Sequence, residues 1–349
     1  MSITSRIWNA ILRFLSVWID TAVVKLEIAM SGHKSMISKR LDLSNLNRPE
    51  FFERPELFYD RGLKPPDVEV TPRRVFAGIS ESRFAFRSET ESAYSENNIV
   101  RGSIFEARAS RGGAAAPCLI LMHGWREPGV YTPYHWLLAF FLARCGVNCV
   151  LTTLPYHGMR KPKGAYDGDL MLCGDMEQTV ESFRQAVGDI RSLVTWARAR
   201  FSGPLGVGGF SLGGFITGIV ACVESRIDFA MPIIASGNLT KGMWDKPLIK
   251  QLRSDLDTVG VSESALSENW RVIMPINFTP KLAPGNIQLI AGLYDILIPT
   301  QNVEDLYEKW NRPRLKWLPC GHVSIGLCPR ALMRSILDFI RDVSKNVVS

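Results

Sequence analysis

Ser211 stands in Gly209-Phe210-Ser211-Leu212-Gly213, between a strand-like run that ends at Phe210 and a helix-like run that begins at Gly213. Attack on a carbonyl carbon needs a hydroxyl that projects clear of the backbone. A sharp strand-to-helix turn flanked by small residues gives that projection. A serine hydroxyl is a poor nucleophile on its own, so the chemistry also needs a base and a group that orients the base. His322 follows the strand-like 315–318 through Pro319-Cys320-Gly321, and Asp295 follows the strand-like 287–292. In this reading His322 takes the Ser211 proton and returns it to the leaving group, while Asp295 fixes the imidazole tautomer. Asp245, or another acid of the 236–284 segment, is the alternative for the third role. Upstream, the apolar run 118–122 ends in His123-Gly124-Trp125, a turn suited to receiving an oxyanion. His123 reads as a residue that shapes this turn. The order is serine, acid, histidine, each just beyond the end of a strand, where sites of open parallel sheets lie.

The elements that must position these residues read as alternating strands and helices. Apolar strand-like runs occur at 118–122, 147–154, 205–210, 229–235, 287–292 and 314–318, with helical patterns at 134–144, 177–200, 213–222, 300–310 and 330–345 between and after them. This alternation predicts parallel βαβ units. Residues 68–71 and 83–86 alternate in character and are expected as antiparallel edge strands, and 112–116 as a turn. Residues 236–284 break the alternation and are expected to form a small helical cap. The organisation expected is an N-terminal helix and irregular arm over 1–67, then one α/β domain over 68–349 that carries the cap.

Four motifs in this order, HGW at 123–125, GFSLGG at 209–214, GLYDILIP at 292–299 and CGH at 320–322, resemble those of the α/β-hydrolase superfamily over roughly residues 100–345. Within it, PYHGMRKPKG at 155–164 and GPLGVGGFSLGG at 203–214 are similar to the group named α/β-hydrolase domain-containing protein 18. The resemblance implies the α/β-hydrolase fold, a mostly parallel central sheet with helices on both faces. It also implies a serine hydrolase with an acyl-enzyme intermediate and no cofactor, with the backbone N–H groups of Leu212 and Trp125 as the oxyanion hole. The expected substrate is a carboxylic ester, lipid-like or an acylated small molecule. The same triad serves acyl transfer and amide or peptide hydrolysis, and a noncatalytic binding scaffold is the alternative of another class. Tyr156, His157 and Arg160 follow the second central strand and are expected to meet substrate, Arg160 and Lys161 through an anionic group.

Composition narrows the classes further. The chain has 349 residues, 46% of them hydrophobic, enough for a large core, and a formal net charge of +7. The positive charges are dispersed and no nucleic-acid-binding motif accompanies them, so no nucleic-acid partner is expected. The histidines lack metal-ligand spacing such as H-E-x-x-H, so no metal is expected. Seven cysteines without a C-x-x-C pair favour a reducing compartment, Cys145/Cys149 and Cys320/Cys328 being the pairs available to an exported chain. Residues 7–30 are apolar and aromatic but interrupted by Arg13, Asp20, Lys25 and Glu27, which predicts an amphipathic helix rather than a membrane span. Two readings of it stay open: docking on the protein's own body, and peripheral contact with a membrane or partner. The expected location is the cytoplasm, at the inner membrane surface if the helix meets lipid.

Overall fold

The continuous apolar runs become a buried sheet in the computed structural model, which describes residues 3–30, 35–37, 39–108, 113–127, 129, 132–241 and 243–348. Gly112, at the start of the expected turn 112–116, lies outside the described residues. In chain order, helices α1 (Ile3–Met30) and α2 (Pro49–Glu53) precede strands β1 (Glu69–Phe76), β2 (Ile79–Arg87) and β3 (Ile99–Glu106). Then come β4 (Cys118–Met122), α3 (Pro133–Arg144), β5 (Asn148–Thr152), α4 (Met176–Arg200), β6 (Leu205–Phe210), α5 (Leu212–Val223) and β7 (Phe229–Ile233). Helices α6 (Lys250–Thr258) and α7 (Glu263–Asn269) lead to β8 (Gln288–Gly292), α8 (Thr300–Lys309), β9 (Arg314–Leu318) and α9 (Pro329–Val348).

The strands are ordered β1-β2-β3-β5-β4-β6-β7-β8-β9. Pairing is antiparallel from β1 to β5 and parallel from β5 to β9. Alternate residues of β4 serve the two faces, as the two-residue strand period requires. Ile120 and Met122 join a cluster with Val180, Val187 and Ile216 of α4 and α5. Leu119 and Leu121 join another with Leu138, Leu142, Ile336 and Ile340 of α3 and α9. Covering helices on both faces explain why the central strands read as unbroken apolar runs. Strand β3 was not expected from sequence. It carries Arg101 and Gly102 in mid-strand, which hide the apolar alternation.

Helices α6 and α7 lie in the long connection from β7 to β8, and Leu252, Leu256, Leu266 and Trp270 bury into the α4–α5 side of the core. Helix α1 docks on the body by a mixed face. Ser16, Asp20 and Val24 are buried, whereas Phe14 is 69% and Trp18 62% exposed, with Ile11, Leu15 and Leu26 beside them. Among the described residues, no helix is long and apolar enough to cross a membrane. All seven cysteines are free thiols.

A buried ion pair ties the N-terminal arm to the helices beneath it. Arg191 of α4 donates from Nε to Glu224 at 3.1 Å and from Nη1 to the carbonyl of Tyr59 in the arm. Glu224 follows α5 and also accepts from Arg226 Nε at 2.8 Å. Removing one partner of such a pair strands the other charge away from water. Glu224→Ala is therefore expected to lower unfolding free energy by about 3–5 kcal/mol in denaturant titration, and a loss below about 1 kcal/mol would show that the pair does not secure the arm.

Candidate active site

Strand β6 delivers Ser211 and helix α5 begins directly after it, which forces a sharp reversal. Ser211 has φ 51° and ψ −113°, a left-handed conformation costly for a residue with a side chain. Its N–H donates to the Ile233 carbonyl at 2.9 Å and its carbonyl accepts from Phe215 N–H at 2.9 Å. The neighbouring glycines are required by contact. A Cβ on Gly209 would come within 2.4 Å of the Gly213 backbone, and one on Gly213 within 2.5 Å of the His123 carbonyl oxygen.

Ser211 Oγ donates to His322 Nε2 at 2.8 Å, and His322 Nδ1 donates to Asp295 Oδ2 at 2.8 Å. Asp295 in turn accepts from the N–H groups of Leu297 and Ile298, both at 2.8 Å, which fixes its carboxylate. Asp245, the alternative acid, has a side chain 90% exposed and pairs with Arg253 at 2.9 Å, away from this chain of bonds. Burial opposes the charged form of His322. The carboxylates of Asp295, Asp20 and Glu127 outweigh that effect and raise its pKa above the ordinary histidine value.

Asp20 is the contributor that sequence reading missed. It is fully buried and reaches from α1 to the loop carrying His322. One carboxylate oxygen accepts from His322 N–H, and the other from Val323 N–H at 3.0 Å and Ser324 N–H at 2.9 Å. A Cβ on Gly321 would come 2.2 Å from Asp20 Oδ2, so the glycine of the CGH motif makes room for this carboxylate. The signal in the sequence was an acid set within an apolar helix, which reads equally well as an exposed polar position.

The turn after β4 is held from several sides. Gly124 N–H donates to Glu127 Oε1 at 2.9 Å and Arg126 N–H to His157 Nε2 at 3.2 Å. Between them, the Trp125 N–H has no partner among the described residues, and its indole Nε1 donates to the Gly168 carbonyl at 2.9 Å. Leu212 opens α5, where first-turn N–H groups have no partner within the helix. His123 accepts from Leu154 N–H at 3.0 Å and donates to the Gly124 carbonyl at 2.7 Å. Burial lowers its pKa to about 4.

The structure corrects the reading of the 155–161 loop. Arg160 is fully buried, and its guanidinium donates to Asp189 at 2.8 Å, the Thr153 carbonyl at 2.9 Å and the Asn97 carbonyl at 2.8 and 3.1 Å. A guanidinium withdrawn from water must be bonded in this way, and Arg160 does not line the cavity beside Ser211. Lys161 is bound to Asp167 at 2.8 Å. His157 is likewise fully buried and Tyr156 nearly so, its N–H donating to Asn97 Oδ1 at 3.0 Å. Neither lines the cavity beside Ser211; His157 acts on the Arg126 backbone instead.

That cavity has a volume of about 420 Å³ and is lined by Ser211, His322, Trp125 and Leu212. Val23 and Val24 of α1, Phe215 of α5 and Leu239 and Met243 before α6 supply apolar walls. Helix α1 thus covers the site with the face that also holds the His322 loop.

Comparisons with known proteins agree with this architecture. Residues 130–258 match the family model described as Alpha/beta hydrolase domain containing 18. An uncharacterized protein of Mycobacterium tuberculosis is 32% identical over 183 residues, 51% of this chain and 42% of that protein. The chain thus spans less than half the length of that relative. The uncharacterized protein YdjC of Bacillus subtilis is 31% identical over 110 residues, 32% of this chain and 95% of YdjC. Among solved structures, an acetyl xylan esterase from Paenibacillus sp. R4 has a TM-score of 0.63 at 17% identity, covering 85% of this chain and 99% of its own. Acetyl xylan esterase 1 from Thermoanaerobacterium sp. has a TM-score of 0.60 at 14% identity, covering 91% and 98%. At these identities the likeness is one of fold. The chain has the α/β-hydrolase fold and is similar, over residues 130–258, to the family described as Alpha/beta hydrolase domain containing 18.

Proposed function

We propose that this chain is a serine hydrolase that cleaves a carboxylic ester, with Ser211 as nucleophile, His322 as general base and acid, and Asp295 as the group that orients His322. The observation that carries the reading is the unbroken bond chain Ser211–His322–Asp295, with 2.8 Å at each link, opening on a cavity with apolar walls. As Ser211 Oγ bonds to the ester carbon, its proton passes to His322 Nε2 and the carbonyl electron pair moves to oxygen. The N–H groups of Leu212 and Trp125 receive the resulting negative charge. Collapse breaks the bond to the alcohol, which leaves with the His322 proton. Water then repeats the sequence and frees the acid. Two of the fold neighbours are acetyl xylan esterases, which supports this class of reaction. The substrate is a small or lipid-like ester whose acyl group lies against Val24, Phe215 and Met243.

Labelling of the full chain with a fluorophosphonate is expected to modify Ser211, and Ser211→Ala and His322→Ala are each expected to lower turnover of an activated short-chain ester by on the order of 10³-fold or more. Folded protein that neither labels nor turns over esters would favour a binding scaffold instead. The base must be unprotonated, so kcat/KM rises with pH through the His322 pKa. Because that pKa is raised, the half-rise is expected on the alkaline side of the ordinary histidine value, and a half-rise on the acid side would contradict the assignment. Asp20→Ala removes one of the charges that raise it and three acceptor bonds from the His322 loop. The expected result is a half-rise at lower pH together with a kcat reduced about ten- to a hundredfold; an unchanged pH profile would show that Asp20 does not act on His322.

A further inference from the structure

Buried polar atoms in folded proteins almost always have a hydrogen-bond partner. Three that have none among the described residues come from one short stretch: Thr132 Oγ1, Tyr134 OH and His135 Nδ1. All three residues line the cavity that holds Ser211. The His135 side chain is only 4% exposed, and its Nε2 is bound to Glu127 at 2.6 Å, which turns Nδ1 away from that carboxylate. Phe210, the residue before Ser211, packs its ring on His135 at 5.0 Å and on Tyr134 at 5.8 Å. These three residues therefore bring unpaired polar groups to a wall that starts beside the proposed nucleophile, in a cavity otherwise lined largely by apolar side chains. Two further such atoms, Glu27 Oε2 and Arg126 Nε, border the same cavity.

We propose that Thr132, Tyr134 and His135 form a hydroxyl-binding subsite that takes the polyol portion of an ester whose carbonyl lies at Ser211. The assignment rests on the ester-hydrolase reading above. A hydroxyl both donates and accepts, which suits a wall made of two hydroxyls and an imidazole nitrogen. Burial raises the Tyr134 pKa, so its phenol keeps its proton. Burial acts to raise the pKa of Glu127, but the His135 hydrogen bond and nearby charges outweigh it and lower it to about 2. Glu127 is itself a lining residue whose ionised carboxylate lies beside His135, and the Arg126 guanidinium of the same lining is paired with Asp169 at 3.9 Å, so a neutral hydroxylated group fits this wall better than a carboxylate or phosphate.

Butyl butyrate and the glycerol monoester of butyric acid share an acyl group and differ in the hydroxyls of the alcohol. With the full chain, kcat/KM for the glycerol ester is expected to exceed that for the butyl ester about tenfold, and Tyr134→Phe and Thr132→Val are each expected to reduce this ratio about fivefold. A ratio near one, or one that neither substitution moves, overturns the proposal. The butyrate ester of the glucose primary hydroxyl separates a glycerol moiety from a sugar: the faster of the two identifies the source, and failure of both to exceed the butyl ester overturns the subsite. Binding separates this result from failure of the hydrolase reading. The Ser211→Ala chain is titrated calorimetrically with the butyl ether of glycerol and with butyl propyl ether, neither of which has an ester bond. Tighter binding of the glycerol ether, weakened by Tyr134→Phe, upholds the subsite even where no ester is turned over; equal binding of the two ethers overturns it.

Discussion

A side chain placed at φ 51° must be held there by its surroundings, and the organisation around Ser211 follows from that constraint. The turn closes only because the backbones on either side of Ser211 approach more nearly than a Cβ would allow. Gly209 meets Gly213, and Gly213 meets the carbonyl of His123 at the end of β4. The last contact matters most for the chemistry. It places the turn that carries Trp125 against the start of α5. A parallel sheet provides this arrangement cheaply, because β4, β6, β8 and β9 all release their chains at one edge. The same contacts that permit the left-handed serine therefore assemble its partners.

Helix α1 extends this arrangement in a way that its sequence conceals. An amphipathic helix ordinarily buries its apolar stripe, and here Phe14 and Trp18 lie in water while Asp20 is fully buried. The burial of Asp20 has an electrostatic reason. The loop carrying His322 turns into a 3₁₀ segment, Val323–Leu327, and presents successive N–H groups that need an acceptor. Asp20 satisfies three of them at once, a gain that a hydrophobic contact at the same place would not match. Since Val23, Val24 and Glu27 of the same helix border the cavity, any displacement of α1 would open the cavity and release the His322 loop together.

What the sequence disclosed, and what it withheld, divides by the range of the interactions involved. Strand ends and turn residues are local signals. They were enough to locate the parallel strands to within a few residues and to select Ser211, Asp295 and His322, which the fold brings into one chain of hydrogen bonds. Burial of a charge depends on residues far away in sequence. Arg160 sits in the expected loop, but Asn97 and Asp189 enclose it, and nothing within ten positions of Arg160 announces either of them. Strand β3 was missed for a related reason: Arg101 and Gly102 break its pattern locally, and only the pairing with β2 and β5 makes the segment extended. The polar wall of Thr132, Tyr134 and His135 was equally hidden. Thr-Pro reads as a helix start, which it is, without indicating that the helix end faces a cavity.

The histidines show how one site keeps separate tasks for chemically identical rings. His123 and His157 are buried without a carboxylate partner, so burial drives their pKa values down and both stay neutral near pH 7. Each then has a lone pair available, and each uses it on a backbone N–H: His123 on Leu154 and His157 on Arg126. A charged ring would lose that acceptor and loosen the turn that presents the Trp125 N–H. His322 is also buried, but Asp295 and Asp20 raise its pKa instead. Burial alone therefore makes an imidazole a fixed acceptor, and burial beside carboxylates makes it a ring that can exchange a proton. The difference between the histidines that hold this site in shape and the one proposed as its base comes from the acids around them rather than from the histidines themselves.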